Sequence, residues 1–329
     1  MEPSPLLEVR GLTTEFVSGT GAARRVVRAA DGVDFEVGRG EILALAGESG
    51  SGKSATALSL VGLVPPPGRI AAGRIVFEGR DLRELDERGM RRVRGARIGF
   101  VFQEPMTALN PAFTVGSQIA EALEVHGAAR GAAARARAIE LLGAVRIPDP
   151  ARRAVDFPHQ LSGGMRQRAL IAAAIACRPS LLIADEPTTA LDATVQAEIF
   201  DLLEAMRRES GLTVLLITHD LGVVARVADR VAVMYAGRIV ETGPARAVLE
   251  SPAHPYTRGL LASVPGREPG TRLAAIPGSM PDLAALAPGC AFAPRCPDRF
   301  EACDQARPEA ASVSPGHAAR CYLYAGAAR

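Results

Sequence analysis

The apolar run Ile42-Leu43-Ala44-Leu45-Ala46 stops abruptly at Gly47-Glu48-Ser49-Gly50-Ser51-Gly52-Lys53-Ser54, and the helical stretch Ala55 to Val64 follows at once. This order of strand, glycine-rich loop and helix constrains the fold more than any other feature of the chain. The loop fits G-x-x-x-x-G-K-[ST], in which glycines let backbone N–H groups close around phosphates. Its lysine reaches the terminal phosphates, and its serine hydroxyl is a ligand for Mg²⁺. The helix that follows points its N-terminus at the same anion. Of 38 Lys and Arg residues, Lys53 is the one lysine. It stands where a compact ammonium on a flexible stem is needed and a planar guanidinium would fit badly. Residues Gly47 to Ser54 therefore imply a bound nucleoside triphosphate.

The bulk numbers are those of a soluble globular chain, with 48% hydrophobic and 22% charged residues. At 329 residues it has room for one large domain and a smaller appendage. A net charge of +2 gives no ground for a nucleic-acid partner. No apolar run approaches the roughly 18 to 20 residues of a membrane span. The start, Met1-Glu2-Pro3-Ser4-Pro5, lacks a basic region before an apolar stretch, so no secretory signal is visible. The expectation is a cytosolic protein that docks on a membrane protein if it works at a membrane at all.

Short β-rich segments run from Leu7 to about Phe102, among them Val33 to Val37, Arg74 to Phe77 and Arg97 to Phe102. From about Thr114 to Cys177 the apolar spacing turns helical, and Ser162 is placed to cap a helix. Two continuous apolar strands, Leu181 to Ala184 and Thr213 to Ile217, flank a long helix over Ala193 to Glu209. Such strands are covered on both faces and imply a parallel sheet. Beyond Gly243 prolines and glycines become dense, as in a loop-rich tail.

Chemistry gathers where these strands end. Leu181 to Ala184 delivers Asp185-Glu186, two adjacent carboxylates suited to a metal–phosphate site. Asp185 is placed to hold Mg²⁺ and Glu186 to polarise an attacking water, since phosphoryl transfer depends on positioning and charge stabilisation. His219 follows the Thr213 to Ile217 strand, and Gln103 follows Ile98 to Phe102, where a neutral amide can ligate Mg²⁺ or orient water. Leu161-Ser162-Gly163-Gly164-Met165 opens another helix with a hydroxyl and bare N–H groups, a second anion site about 110 residues from the first.

With these residues in this order, over about residues 5–250, the chain resembles the ATP-binding subunits of ABC transporters. The resemblance implies a Walker A loop at 47–54, a Q-loop at Gln103, a signature motif at Leu161 to Met165 and a Walker B strand at Leu181 to Glu186. It also implies a D-loop at Thr189-Ala190-Leu191-Asp192 and a switch histidine at His219, with Phe16 as the aromatic that stacks on adenine. Met165 stands where many members have Gln. The implied fold is an α/β P-loop NTPase (ABC ATPase) core over 1–250, with an inserted α-helical subdomain at about 112–178. A small loop-rich C-terminal extension follows over 251–329. The implied mechanism packs two such domains head to tail, each ATP lying between one Walker A loop and the partner's signature motif, with hydrolysis releasing the closed pair.

Further segments resemble the oligopeptide/dipeptide importer branch. These are Gln103 to Pro111, Ser251 to Leu261, Ile276 to Leu283, and Gly289 to Pro297, with Cys303, Pro308 and His317 to Cys321 after them. The tail is similar to that of the branch's D-type ATPase subunits. That similarity implies a homologous F-type ATPase subunit as heterodimer partner, two transmembrane permease subunits and an extracytoplasmic peptide-binding protein. It places the chain on the cytoplasmic face of the cell membrane. Nickel importers share the branch, and soluble ABC ATPases of DNA repair or translation are a more distant alternative. A module that holds ATP without hydrolysing it is a third reading, opposed by Glu186 and His219.

Cys177 lies in an apolar run and reads as an inert core thiol. Cys290, Cys296, Cys303 and Cys321 are separated by 5, 6 and 17 residues, without the tight knuckles usual for structural zinc. Four thiolates on irregular loops suit a [4Fe–4S] cluster, which would fold a tail short of apolar core. Zinc, with His317 as an alternative ligand, and plain reduced thiols are the other readings.

Overall fold

The computed structural model describes residues 4–20, 24–104, 108–189, 191–263 and 275–324. Pro105 to Thr107 of the Q-loop stretch and Ala190 of the D-loop stretch lie outside the described residues. In chain order the strands are β1 (Leu7–Ser18), β2 (Arg25–Val37), β3 (Ile42–Ala46), β4 (Gly68–Phe77), β5 (Arg80–Asp81) and β6 (Ile98–Val101). They continue with β7 (Leu181–Asp185), β8 (Thr213–Thr218), β9 (Arg230–Tyr235), β10 (Arg238–Pro244), β11 (Ala311–Ser314) and β12 (His317–Ala319). Two compact units result, one from residues 1–83 and 217–329, the other from residues 84–216.

In the first unit β2, β1, β4 and β5 form an antiparallel sheet in that order. Buried and open positions largely alternate along β1, so one face is covered and the other is not. A second array runs β11-β12-β10-β9-β3. β3 is buried at all five positions and lies parallel to β9, as its unbroken apolar run requires. Past β9 the expected parallel order gives way. Ala236 and Gly237, at φ 48° and 80°, form a two-residue turn that sends β10 back antiparallel. β12 then pairs with β10, and β11 with β12. The tail therefore adds strands to a sheet and is not merely loops.

Nor is the tail short of core. Tyr256, Leu260 and Phe292 are buried in one apolar cluster with Val231, Val233, Tyr235 and Val248. Glu241, 1% exposed, anchors the start of this segment. Its carboxylate accepts from the backbone N–H of Ala253 at 2.7 Å and of His254 at 2.9 Å, and lies 2.7 Å from Nε2 of His317.

In the second unit β7 and β6 are neighbours, β6 running parallel to β7 with Ile98 opposite Leu181 and Val101 opposite Ala184, and the part of β8 up to Leu216 lies on the other side of β7. Helices Val115–Val125, Gly131–Ala144 and Gly163–Ile175 occupy the stretch expected to be helical. Thr114 caps the first of these and Ser162 the third, each hydroxyl accepting a backbone N–H of the first turn. The helix Ala193–Ser210 ends on Gly211 at φ 68°, a left-handed residue that stops it. Cys177 falls just beyond the third helix and is only partly buried. Its Sγ lies 3.5 Å from the Ala122 carbonyl, and burial raises its thiol pKa, as for an inert thiol.

Candidate active site

The first unit carries the glycine-rich loop between β3 and the helix Lys53–Leu60. Gly52 sits at φ 106°, and a Cβ there would lie 1.9 Å from the Ala29 carbonyl oxygen, so any side chain would displace the loop. Gly52 occupies the N-cap position with no side chain to offer, so no capping side chain competes with an anion at this helix start. The Lys53 ammonium is 2.8 Å from the Gly47 carbonyl and 2.9 Å from that of Glu48, so the charge rests across the loop itself. Phe16 on β1 is half-buried, and its ring lies over Gly68 of β4. His219 is exposed between Thr218 and Asp220. Thr218 Oγ1 accepts the Asp220 N–H at 3.0 Å, and Asp220 caps the helix Leu221–Val227 through Gly222 N–H at 2.7 Å. This pins the backbone on both sides of the imidazole.

The second unit carries the carboxylates. Asp185 ends β7 and is 5% exposed. Glu186 follows at φ 44°, a left-handed conformation uncommon for a residue with a side chain and frequent at functional sites. The Gln103 amide donates to Glu186 Oε2 at 3.1 Å, and the Thr189 hydroxyl donates to the same oxygen at 3.1 Å. The parallel pairing of β6 and β7 brings these two strand ends side by side. Ser162 is exposed at its helix start. Gly164 faces Val195, where a Cβ would come within 2.6 Å of the valine methyl, and Gly163 lies close to Leu191. Asp192 caps the next helix through the N–H groups of Thr194 at 3.1 Å and Val195 at 3.0 Å. The Ser162–Gly164 turn and the Asp192 turn are thus packed as one piece.

The hydroxyl of Ser54, the carboxylate of Asp185 and the amide oxygen of Gln103 are hard oxygen donors of the kind Mg²⁺ takes. The four tail cysteines are all free thiols, and all four line a single cavity with His254, Phe292 and Pro308. Burial raises the pKa of Cys290, Cys296 and Cys321, that of Cys321 to about 11. Among the described residues no group of three or more His, Cys, Asp or Glu is arranged to hold a metal ion. His317 is not among the cavity's lining residues, because its ring is engaged with Glu241. The expectation that His317 offers an alternative zinc ligand is corrected accordingly.

Two residues at the loop escaped the sequence reading. The Glu48 N–H donates to the Tyr256 hydroxyl at 2.8 Å, and Arg295 forks onto the Glu48 carboxylate at 2.8 and 3.1 Å. Both lie in segments that sequence pattern ties only to the tail, and no spacing links them to a loop more than 200 residues earlier. Thr189 was legible as part of a motif, but not as a donor to Glu186.

Comparison with known proteins gives two family matches. Residues 30–189 match the ABC transporter family and residues 240–303 the oligopeptide/dipeptide transporter C-terminal region. The chain is 49% identical to the dipeptide transport ATP-binding protein DppD of Bacillus subtilis, over 97% of this chain and 94% of that one. It is 53% identical to the oligopeptide transport ATP-binding protein OppD of Mycobacterium tuberculosis, over 97% of this chain and 52% of that one. Among solved structures, a dimeric ATP-binding cassette in a post-hydrolysis state with ADP and phosphate matches at TM-score 0.64 and 31% identity. That match covers 73% of this chain and 99% of the other.

Proposed function

The chain belongs to the ABC transporter family, and we propose that it is the ATP-hydrolysing subunit of an importer for di- or oligopeptides. The observation that carries this reading is the resemblance of nearly the whole chain, tail included, to peptide-transport ATP-binding proteins. Among the described residues no helix is long and apolar enough to cross a membrane. The partners proposed are two permease subunits, an extracytoplasmic peptide-binding protein and a homologous ATPase subunit, with this chain docked on the cytoplasmic face of the membrane. The proposed organisation is a nucleotide-binding domain over 1–250, with its helical subdomain at 112–178, and an extension over 251–329.

Each role is assigned residue by residue. The N–H groups of the 47–54 loop and the Lys53 ammonium bind the phosphates, and Phe16 stacks on the base. Mg²⁺, with Ser54, Asp185 and Gln103 as its proposed holders, supplies charge neutralisation when bound. Glu186 takes a proton from the water that attacks the γ-phosphorus as the bond to ADP breaks. Gln103 and Thr189 hold that carboxylate in place, and His219 polarises the γ-phosphate. Ser162, Gly163 and Gly164 grip the nucleotide of the partner subunit, which favours the closed pair only while triphosphate is present. Asp192 fixes the turn beside them.

The test is uptake into proteoliposomes that carry the assembled transporter. ATP-dependent accumulation of labelled peptide supports the assignment, whereas accumulation of Ni²⁺ and not peptide overturns the substrate class.

We further propose that the four cysteines hold an iron–sulfur cluster. What supports it is that all four thiols line one cavity, on irregular loops of the kind that carry such ligands. Iron and acid-labile sulfide assays on anaerobically purified protein decide the matter. Colourless protein with stoichiometric zinc, or with no metal, rejects the cluster.

A further inference from the structure

We infer that Arg295 and Tyr256 are positioning residues for the phosphate loop, setting through Glu48 the affinity of the chain for nucleoside triphosphate. The inference rests on reading residues 47–54 as the phosphate cradle.

The loop has little of its own to hold it. Gly47, Gly50 and Gly52 all have positive φ, at 153°, 81° and 106°, and glycines lose much conformational freedom when ordered. Order must be supplied from outside: the Ser51 carbonyl accepts the Gly237 N–H at 2.8 Å, and side chains of the tail reach the loop at Glu48. Its N–H donates to the Tyr256 hydroxyl at 2.8 Å. Its carbonyl accepts from Lys53 at 2.9 Å and from the Ser51 N–H at 3.2 Å. Its carboxylate takes two nearly parallel bonds from Arg295, Nη1 to Oε2 at 2.8 Å and Nη2 to Oε1 at 3.1 Å. That fork fixes direction as well as distance.

The anchors themselves are held fast. The Arg295 side chain is 7% exposed, so water screens the pair little. Its Nε donates to the Pro277 carbonyl at 2.8 Å, and its guanidinium carbon lies 5.8 Å from the Tyr235 ring centre and 6.0 Å from that of Phe292. Tyr256 is fully buried, with ring centres 4.6 Å from Tyr235 and 5.4 Å from Phe292. A rigid aromatic cluster of the tail and of β9 thus presents one hydroxyl and one guanidinium to a single loop residue. A cradle fixed in advance binds more tightly, because less ordering is left to the binding step.

Equilibrium binding of fluorescent mant-ATP to the full chain tests this. Arg295→Ala and Glu48→Ala are each expected to raise Kd about five- to tenfold, the loss of one charge-assisted link. The double variant is expected to be no worse than either single one, because both remove the same link. A Kd for Arg295→Ala within twofold of wild type overturns the inference. So does a loss of equal size when Arg295→Ala is made in the Glu48→Ala background, since general destabilisation behaves that way. Tyr256→Phe deletes only the hydroxyl and gives a second route if Arg295→Ala fails to fold. An increase in Kd supports the inference, and an unchanged Kd overturns the Tyr256 part. Lys53→Ala separates the two readings. If it leaves binding intact, the cradle assignment fails and this inference with it. If it abolishes binding while Arg295→Ala does nothing, this inference alone fails.

Discussion

The side-chain amide of Gln103 donates to the carboxylate of Glu186 at 3.1 Å, although 83 residues separate them. The Thr189 hydroxyl reaches the same oxygen, so the carboxylate is held by two donors on a backbone already in a left-handed conformation. Such a group is built to keep one orientation.

Glu186→Gln keeps a carbonyl acceptor for both donors and removes only the ability to take a proton. Steady-state phosphate release by the assembled transporter should fall about 10²- to 10³-fold, with nucleotide affinity unchanged. A rate equal to wild type rejects Glu186 as the base.

Gly52→Ala should abolish nucleotide binding while leaving the rest of the chain folded. Its Cβ would lie 1.9 Å from the Ala29 carbonyl oxygen, backbone that cannot turn aside as a side chain can. Titration with a fluorescent nucleotide, alongside circular dichroism, checks both halves of the expectation.

Glu241→Ala leaves the buried N–H groups of Ala253 and His254, and the His317 ring, without their acceptor. Removing one side of a buried network of this kind costs about 3 kcal/mol or more. Denaturant unfolding of the full chain should show that loss, and a cost below 1 kcal/mol would mean that water replaces the carboxylate.

Acidification should destabilise the tail through His254. Burial, with a smaller contribution from the Arg258 cation, lowers its pKa to about 3 from an ordinary 6.5. Between those values the unfolded chain binds a proton that the folded chain does not. The contribution is therefore complete above pH 6.5 and is lost as pH falls toward 3, by up to about 1.4 kcal/mol per unit. Moving from pH 6.5 to 5 should cost wild type about 2 kcal/mol from this group. His254→Asn keeps an acceptor for the Tyr256 N–H, now held by His254 Nδ1 at 3.0 Å, and should flatten that slope in urea titrations at the two pH values.

The sequence alone determined whatever depends on neighbours along the chain. Ile42–Ala46 is apolar at every position and forms a buried strand. Ser162 and Asp192 carry side chains that satisfy the N–H groups of the turn just after them, so the helices begin where those residues stand. The glycines of 47–54 announce a backbone that only glycine adopts. The sequence placed Gln103 and Glu186 each at a strand end, but their hydrogen bond depends on the pairing of β6 with β7. Tertiary structure decided the rest. The antiparallel return after Tyr235 hangs on positive φ at Ala236, a residue whose type gives no warning of it. The engagement of His317 by Glu241, and of Glu48 by Arg295 and Tyr256, joins residues that no periodicity relates. Hydrogen bonds within a turn are written in local order, whereas those across 76 or 247 residues exist only once the core has fixed both ends.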